Sequence, residues 1–321
     1  MPTALVTGIT GQDGSYLCER LVADGWTVVG LVRDTAATDE QPVTPGVSTV
    51  VGDLSDLTGL RDLVLDRRPD LVVNLAGITS VARSWEEPVE TLHVSGVAVA
   101  AILDAATRLT ADGHPVRVIQ ASSAEVFAGS GDDPITESSR VAPVSPYGLA
   151  KATAHLAVAV SRGRGVHASA AILFNHESTR RAPSFVSRKI TAGVAAIATG
   201  RADSLTLGNL DASRDWGWAP DHVDAIVRMA AADEPGDFVI ATGETHTVAE
   251  FAAEAFRAAG IEDVDRYLRT DASLLRPTDA AVLRGDSTRA RRELGWAPTH
   301  DFHAVVAAMV AHDLALAGAA G

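Results

Sequence analysis

Cysteine occurs once in this chain of 321 residues, and the lone Cys18 excludes an internal disulfide or a zinc site built on thiolates. Basic residues are scarce beside acidic ones, 27 Lys and Arg against 41 Asp and Glu, for a formal net charge of −14. That balance argues against nucleic acid or an anionic membrane as a partner. The ten histidines show no spacing typical of metal ligands, so no metal is expected. Long unbroken apolar runs are missing too, because glycine or charge interrupts each stretch short of a membrane span. Met1-Pro2-Thr3 runs straight into Ala4-Leu5-Val6, so no signal peptide is expected before the first strand. The expectation is a cytoplasmic protein without internal repeats, low-complexity tracts or an obvious flexible linker.

Hydrophobic residues make up 46% of the chain, enough to bury a sizeable core. Short β-branched runs alternate with Ala/Leu-rich stretches through the first half. Residues 4–6, 27–32, 71–73, 116–119 and 168–173 read as strands, with helices near 14–24, 56–67, 88–109 and 146–162. Continuous apolar strands separated by helices imply a parallel sheet covered on both faces. The fold class expected is α/β, a doubly wound parallel (Rossmann) sheet with ligands at the carboxyl ends of its strands. After about residue 175 the alternation fails, and a smaller discontinuous α/β lobe is expected. The division expected is 1–175 plus about 236–260 for the sheet domain, and 176–235 with 261–321 for the lobe.

Between the first strand and first helix lie Gly8, Thr10, Gly11, Gln12, Asp13 and Gly14. Three glycines at this spacing let the backbone turn tightly and approach a pyrophosphate at the helix N-terminus. The second strand ends in Arg33-Asp34; an acid there suits a ribose diol and an arginine suits a 2′-phosphate, so NAD and NADP both stay open. Asp53-Leu54 is placed to approach an adenine, and Leu75-Ala76-Gly77 to line the path to a nicotinamide.

The residues with most chemical content are Ser123-Ala124-Glu125 and Tyr147 with Lys151. Tyr147 and Lys151 stand at i and i+4 and so face the same way from one helix. A nearby ammonium is expected to lower the tyrosine pKa, so that the phenolate removes a hydroxyl proton while hydride leaves the same carbon. Ser123 would hydrogen-bond that hydroxyl. Glu125 adds a base that a plain dehydrogenase does not need, since a ketone acidifies the neighbouring C–H and a carboxylate can then take that proton.

These residues resemble the extended short-chain dehydrogenase/reductase superfamily, and within it the GDP-mannose 4,6-dehydratase family. Thr7 to Leu17 is similar to that family's opening loop. Ile172-Leu173-Phe174-Asn175-His176-Glu177-Ser178, then Arg180-Arg181 and Phe185 to Ile190, resembles its substrate-side segment. Leu207 to Gly217, and Arg276-Pro277 through Gly285-Asp286 to Trp296, continue the likeness over nearly the whole chain. The resemblance implies oxidation of GDP-mannose at C4, elimination of water across C5–C6 and return of hydride to C6. It implies NADP as cofactor, with His176 and Arg181 joining the glycine loop, Arg33, Asp53, Leu54, Leu75, Ala76, Gly77, Tyr147 and Lys151 in holding it. Ser123, Glu125, Tyr147 and Lys151 are implied as the catalytic set. Ser80, Asn175, Val186, Arg188, Lys189, Arg214 and Arg276 are implied as substrate contacts alongside Ser123, Glu125 and Tyr147. The alternatives kept open are another nucleotide-sugar epimerase, reductase or decarboxylase, and a non-catalytic NADP-binding regulator.

Three departures stand against the likeness. Ser123 replaces a threonine with the hydroxyl kept, but Ala124 replaces a serine beside the base, which is expected to slow turnover. Asp34 stands where the family has a second arginine, which weakens the case for NADP. The loop from Asp34 to about Gly46 is short, so a homodimer through helices 88–109 and 146–162 is expected ahead of a tetramer. Trp216 and Trp218 are expected to pack rather than to bind.

Overall fold

In the computed structural model, which describes residues 1–34 and 43–319, seven parallel strands form the central sheet. They are β1 (Thr3–Thr7), β2 (Thr27–Val32), β3 (Val47–Val51), β4 (Leu71–Asn74), β5 (Arg117–Ser123), β6 (His167–Leu173) and, later in the chain, β11 (Asp237–Ile240). Their spatial order is β11-β6-β5-β4-β1-β2-β3, so the order reverses at β1 and β4. That reversal opens a crevice at the strand ends, where doubly wound sheets bind ligands.

One face of the sheet buries Leu17, Cys18 and Leu21 of α1 (Gln12–Ala23) with Val223, Ile226 and Met229 of α7 (Ala219–Ala231). The other face buries α2 (Leu57–Arg67), α4 (Pro88–Ala111, with a π-turn at His93–Val97) and α5 (Pro146–Arg162). The helix starts follow local chemistry. Ser145 accepts from the Gly148 amide and Pro146 opens α5, while Thr247 and Glu250 form a reciprocal capping box before α8 (Val248–Ala258). Helix α3 (Val81–Glu86) begins at Ser80, whose side chain accepts from the Arg83 amide.

A second core holds the rest. Helix α6 (Val186–Ala198), α8 and α10 (Phe302–Ala319) bury Ile190, Val194, Phe251, Phe256, Phe302, Val305 and Met309 around Trp216. The short strands β7 (Asn175–Glu177) and β10 (Trp216–Trp218) pair in parallel, as do β8 (Leu205–Leu207) and β13 (Leu268–Thr270). Strand β9 (Ser213–Arg214) lies between β12 (His246–Thr247) and β14 (Val282–Leu283).

Packing divides the chain differently from the expectation. Strand β11 does join the sheet, but α8, expected with it, buries its aromatic face in the second core. Conversely α7, expected in the lobe, packs on the sheet beside α1, and so do Ala290 and Trp296. The expected absence of a span-length apolar stretch is also corrected, because α4 and α10 are long and apolar enough to cross a membrane. Gly96 and Asp104 do not break α4; it buries Val94, Val99, Ile102 and Leu109 in one core and α10 buries Phe302, Val305 and Met309 in the other, while Val89 and Leu316 stay exposed. Much of the short loop after Arg33 lies outside the described residues.

Phe251 is fully buried, with ring centroids 5.0 Å from Trp216 and 5.7 Å from Phe302. Phe251→Ala is expected to lower the unfolding free energy by about 3–5 kcal/mol in urea denaturation. A loss below about 1 kcal/mol would show that this core tolerates the cavity.

Candidate active site

The glycine loop is dictated by close approach. Gly8 takes φ 75° against the Ala76 backbone, and a Cβ on Gly14 would stand 2.1 Å from the Gly8 carbonyl oxygen. Only glycine lets α1 start this near the end of β1. Gly11 heads the helix without a side-chain cap, which leaves first-turn amides to face an anion. Gln12 Nε2 donates to the His176 carbonyl at 3.1 Å and Gln12 Oε1 accepts from Ser178 Oγ at 2.8 Å, tying the loop to the chain after β6.

Asp13 pairs with His176 Nε2 at 2.9 Å. Burial would raise its carboxyl, but His176 and Arg181 outweigh that and hold it well below the usual carboxylate range. His176 in turn stacks on His222, centroids 4.4 Å apart. Leu75, Ala76 and Gly77 follow β4 opposite the loop, and the Ala76 amide donates to Thr7 Oγ1 at 3.1 Å. Arg33 and Asp34 lie exposed at the end of β2, and Asp53, held down by the Ser55 amide, feels the Arg33 charge. Leu54 is buried in the sheet core.

Beyond the loop a cleft of about 320 Å³ opens, within the usual range for small-molecule sites. Asp13, Ser80, Ser123, Glu125, Tyr147, Lys151, Asn175, His176, Arg181, Val186, Arg214 and Arg276 all line it. Strand β5 ends at Ser123, whose Oγ accepts from the Glu125 amide at 3.2 Å as the chain turns into a short 3₁₀ segment, Ala124–Phe127. That turn aims Glu125 into the cleft and sends the Ala124 methyl into a cluster with Val126, Phe127 and Ile135.

Two arginines meet over this floor. Arg214 Nη2 and Arg276 Nη1 reach one oxygen of Asp279, at 2.6 and 3.2 Å. Burial raises the Glu125 pKa; Arg214 and Arg276 partly offset this. Tyr147 corrects an expectation, since burial pushes its hydroxyl up to about 12 and only Ser123 and Arg181 pull the other way. Lys151 Nζ stands 5.8 Å from the ring centroid and donates to the Ala121 carbonyl at 3.0 Å instead.

Two expected contacts are elsewhere. Arg188 is held by Asp313 at 2.7 Å and by the Thr179 carbonyl at 2.6 Å, and does not line the cleft. Lys189 is exposed outside the cleft and acts on Asp271. Trp216 packs in the lobe core as expected while also lining the cleft, and Trp218 stacks on His300. Residues missed in the sequence are Asp279, which bridges the two arginines, and Glu177, fully buried against Arg181 at 3.0 Å and Ser187 Oγ at 2.5 Å. A carboxylate three residues past Arg276 was the available signal for the first.

Burial lowers Lys151 from its ordinary 10.5 to about 8. The unfolded chain therefore keeps this proton to about pH 10.5, while the folded protein releases it near pH 8. The cost of burying the ammonium is thus fully present below pH 8 and fades as pH rises towards 10.5. Lys151→Met is expected to raise the unfolding free energy at pH 7 by about 1–3 kcal/mol, at about 1.4 kcal/mol per pKa unit. The gain should shrink towards pH 10.5 in urea denaturation, and a variant no more stable than wild type at pH 7 would refute the assignment.

A family model described as GDP-mannose 4,6 dehydratase matches residues 5–309. The chain is 41% identical to GDP-mannose 4,6 dehydratase 1 of Arabidopsis thaliana, over 98% of this chain and 90% of that one. It is 37% identical to the Homo sapiens GDP-mannose 4,6 dehydratase, over 98% and 91%. Among solved structures, UDP-glucose 4-epimerase of Thermotoga maritima superposes with a TM-score of 0.85 at 21% identity, covering 97% of this chain and 98% of that one. The dTDP-glucose 4,6-dehydratase of Bacillus anthracis does so with a TM-score of 0.80 at 18% identity, covering 97% and 96%. These two share the fold. With the matched model spanning both cores and the cleft, the chain belongs to the GDP-mannose 4,6-dehydratase family.

Proposed function

We propose that this enzyme converts GDP-mannose to GDP-4-keto-6-deoxymannose, using NADP. The observation that carries the reading is Glu125, a carboxylate with a raised pKa in the same cleft as Ser123, Tyr147 and Lys151. Simple hydride exchange needs only the last three; a further base matches an elimination.

The glycine loop and the capless start of α1 fit a dinucleotide, with Leu75, Ala76, Gly77, His176 and Arg181 beside it and Arg33 and Asp53 at its far end. When bound, NADP supplies hydride acceptance from C4 and donation to C6. Ser123 and Tyr147 hold the C4 hydroxyl, and Tyr147 removes its proton. Lys151 stands one helical turn further on and keeps a positive charge 5.8 Å from the tyrosine ring centroid. Glu125 then takes the C5 proton made acidic by the C4 ketone and delivers it to the departing C6 hydroxyl as water. Its raised pKa suits both halves of that task. Arg214 and Arg276 are the guanidinium forks for the diphosphate, with Ser80, Asn175 and Val186 on the walls.

Incubation with GDP-mannose and NADP should yield a product lighter by one water in mass spectrometry. Glu125→Gln should slow that loss by about 10²–10⁴-fold. Unchanged substrate mass would direct the assignment to another nucleotide-sugar reaction.

We further propose a homodimer. Leu149, Leu156 and Val160 line one side of α5, each half-exposed or more, and Val89 on α4 is 81% exposed. An apolar stripe of this kind marks a partner surface. Sedimentation should give a dimer and Leu156→Glu with Val160→Glu a monomer; a wild-type monomer would refute it.

A further inference from the structure

A single file of buried side chains runs under the cleft from β1 to α5. The Ala76 amide donates to Thr7 Oγ1, and Thr7 Oγ1 donates to Asn74 Oδ1 at 2.6 Å. Asn74 Nδ2 donates to Gln120 Oε1 at 2.7 Å, and Gln120 Nε2 donates to the Ala121 carbonyl at 2.8 Å. That carbonyl also receives Lys151 Nζ. Thr7, Asn74 and Gln120 are each no more than 1% exposed and Lys151 is 3% exposed, so water replaces none of these partners.

The sense of the file is fixed throughout. The Ala121 carbonyl can only accept, so Gln120 must meet it with Nε2; Gln120 Oε1 then faces Asn74 Nδ2, and Asn74 Oδ1 takes the Thr7 hydroxyl proton. A carbonyl oxygen offers two lone pairs, and here both are taken, one by a neutral amide and one by the ammonium. We propose that Gln120 is a positioning residue for the proton-transfer pair, seating Lys151 by sharing the Ala121 carbonyl and linking that seat to the loop Leu75-Ala76-Gly77. The inference rests on the dehydratase reading only in naming what the pair does.

The electrostatic consequence has one sign. The Gln120 N–H dipole points its positive end at the oxygen that holds the ammonium, and halves that oxygen's capacity for it. Removing the amide strengthens the bond from Lys151 and favours its charged form, against the burial that lowers it to about 8. The chain has only two lysines, Lys151 and Lys189, so the titration can be followed against one internal reference.

The test is trace acetylation of both lysines across pH 6–11, read by peptide mass spectrometry, on wild type and Gln120→Met. The variant's Lys151 midpoint should rise by about half a unit or more, with Lys189 unmoved. In parallel kcat should fall about tenfold with KM for GDP-mannose within about twofold. A residue of merely structural importance would lower thermal stability or kcat and leave the midpoint in place; that result overturns the proposal, as does an unchanged variant. If Gln120→Met does not fold, Thr7→Val breaks the same file two links away at constant shape, and its midpoint must rise by a smaller amount or the proposal fails. Because labelling needs no turnover, a wild type inactive on GDP-mannose would overturn the functional reading and leave this inference to be decided by the midpoint.

Discussion

Desolvation of the cleft floor is the constraint on which the remaining chemistry depends. At the ends of β5 and β6 burial drives each group towards its uncharged form: Lys151 down to about 8, Tyr147 up to about 12, and Glu125 upwards as well. These shifts have one cause and opposite directions, as a low-dielectric pocket requires. At neutral pH the resting site therefore keeps Tyr147 uncharged and Lys151 an ammonium close to its titration point, and a charged ligand can bias their protonation because little water screens it.

Arginine cannot respond in this way, since its guanidinium keeps its proton in any such pocket. The fold sets a carboxylate against each of three largely buried arginines: Asp279 against Arg214, Glu177 against Arg181 and Asp313 against Arg188. Against this background the composition gains meaning. With two lysines among 27 Lys and Arg, the amine at position 151 is one of the few cations able to titrate near neutrality. An arginine there would have been a permanent charge beside Tyr147 and no participant in proton transfer.

Much of the scaffold was legible because its signals are local. Strand–helix alternation in the first half, the glycine loop and the i, i+4 pair of Tyr147 and Lys151 depend on neighbours within a few turns. The sorting of α7 and α8 was not legible, because an amphipathic helix records that it has an apolar face without recording which core that face meets. Arg188 shows the same limit for charge. In sequence it resembles a ligand-binding arginine as closely as Arg214 does, and the difference is Asp313, supplied by a helix over a hundred positions away. The tyrosine failed for another reason. Spacing places Lys151 beside the ring, but it does not show that the Ala121 carbonyl has already engaged the ammonium.

The two arginines of the cleft resolve an apparent conflict between a chain of net charge −14 and a doubly anionic ligand. Overall charge acts at long range and is screened within about 10 Å at moderate ionic strength, whereas the cleft acts at contact. There Arg214 and Arg276 share a single Asp279 oxygen, two positive charges against one negative. Glu125, the next acid in reach, has its pKa raised by burial, with Arg214 and Arg276 opposing that rise. The wall proposed to receive the diphosphate is thus locally positive and already has its geometry fixed. The Ser213 and Ala280 carbonyls hold Arg214 Nη1, and Asp279 completes that fixing: without its charge the two forks would repel one another with no carboxylate between them.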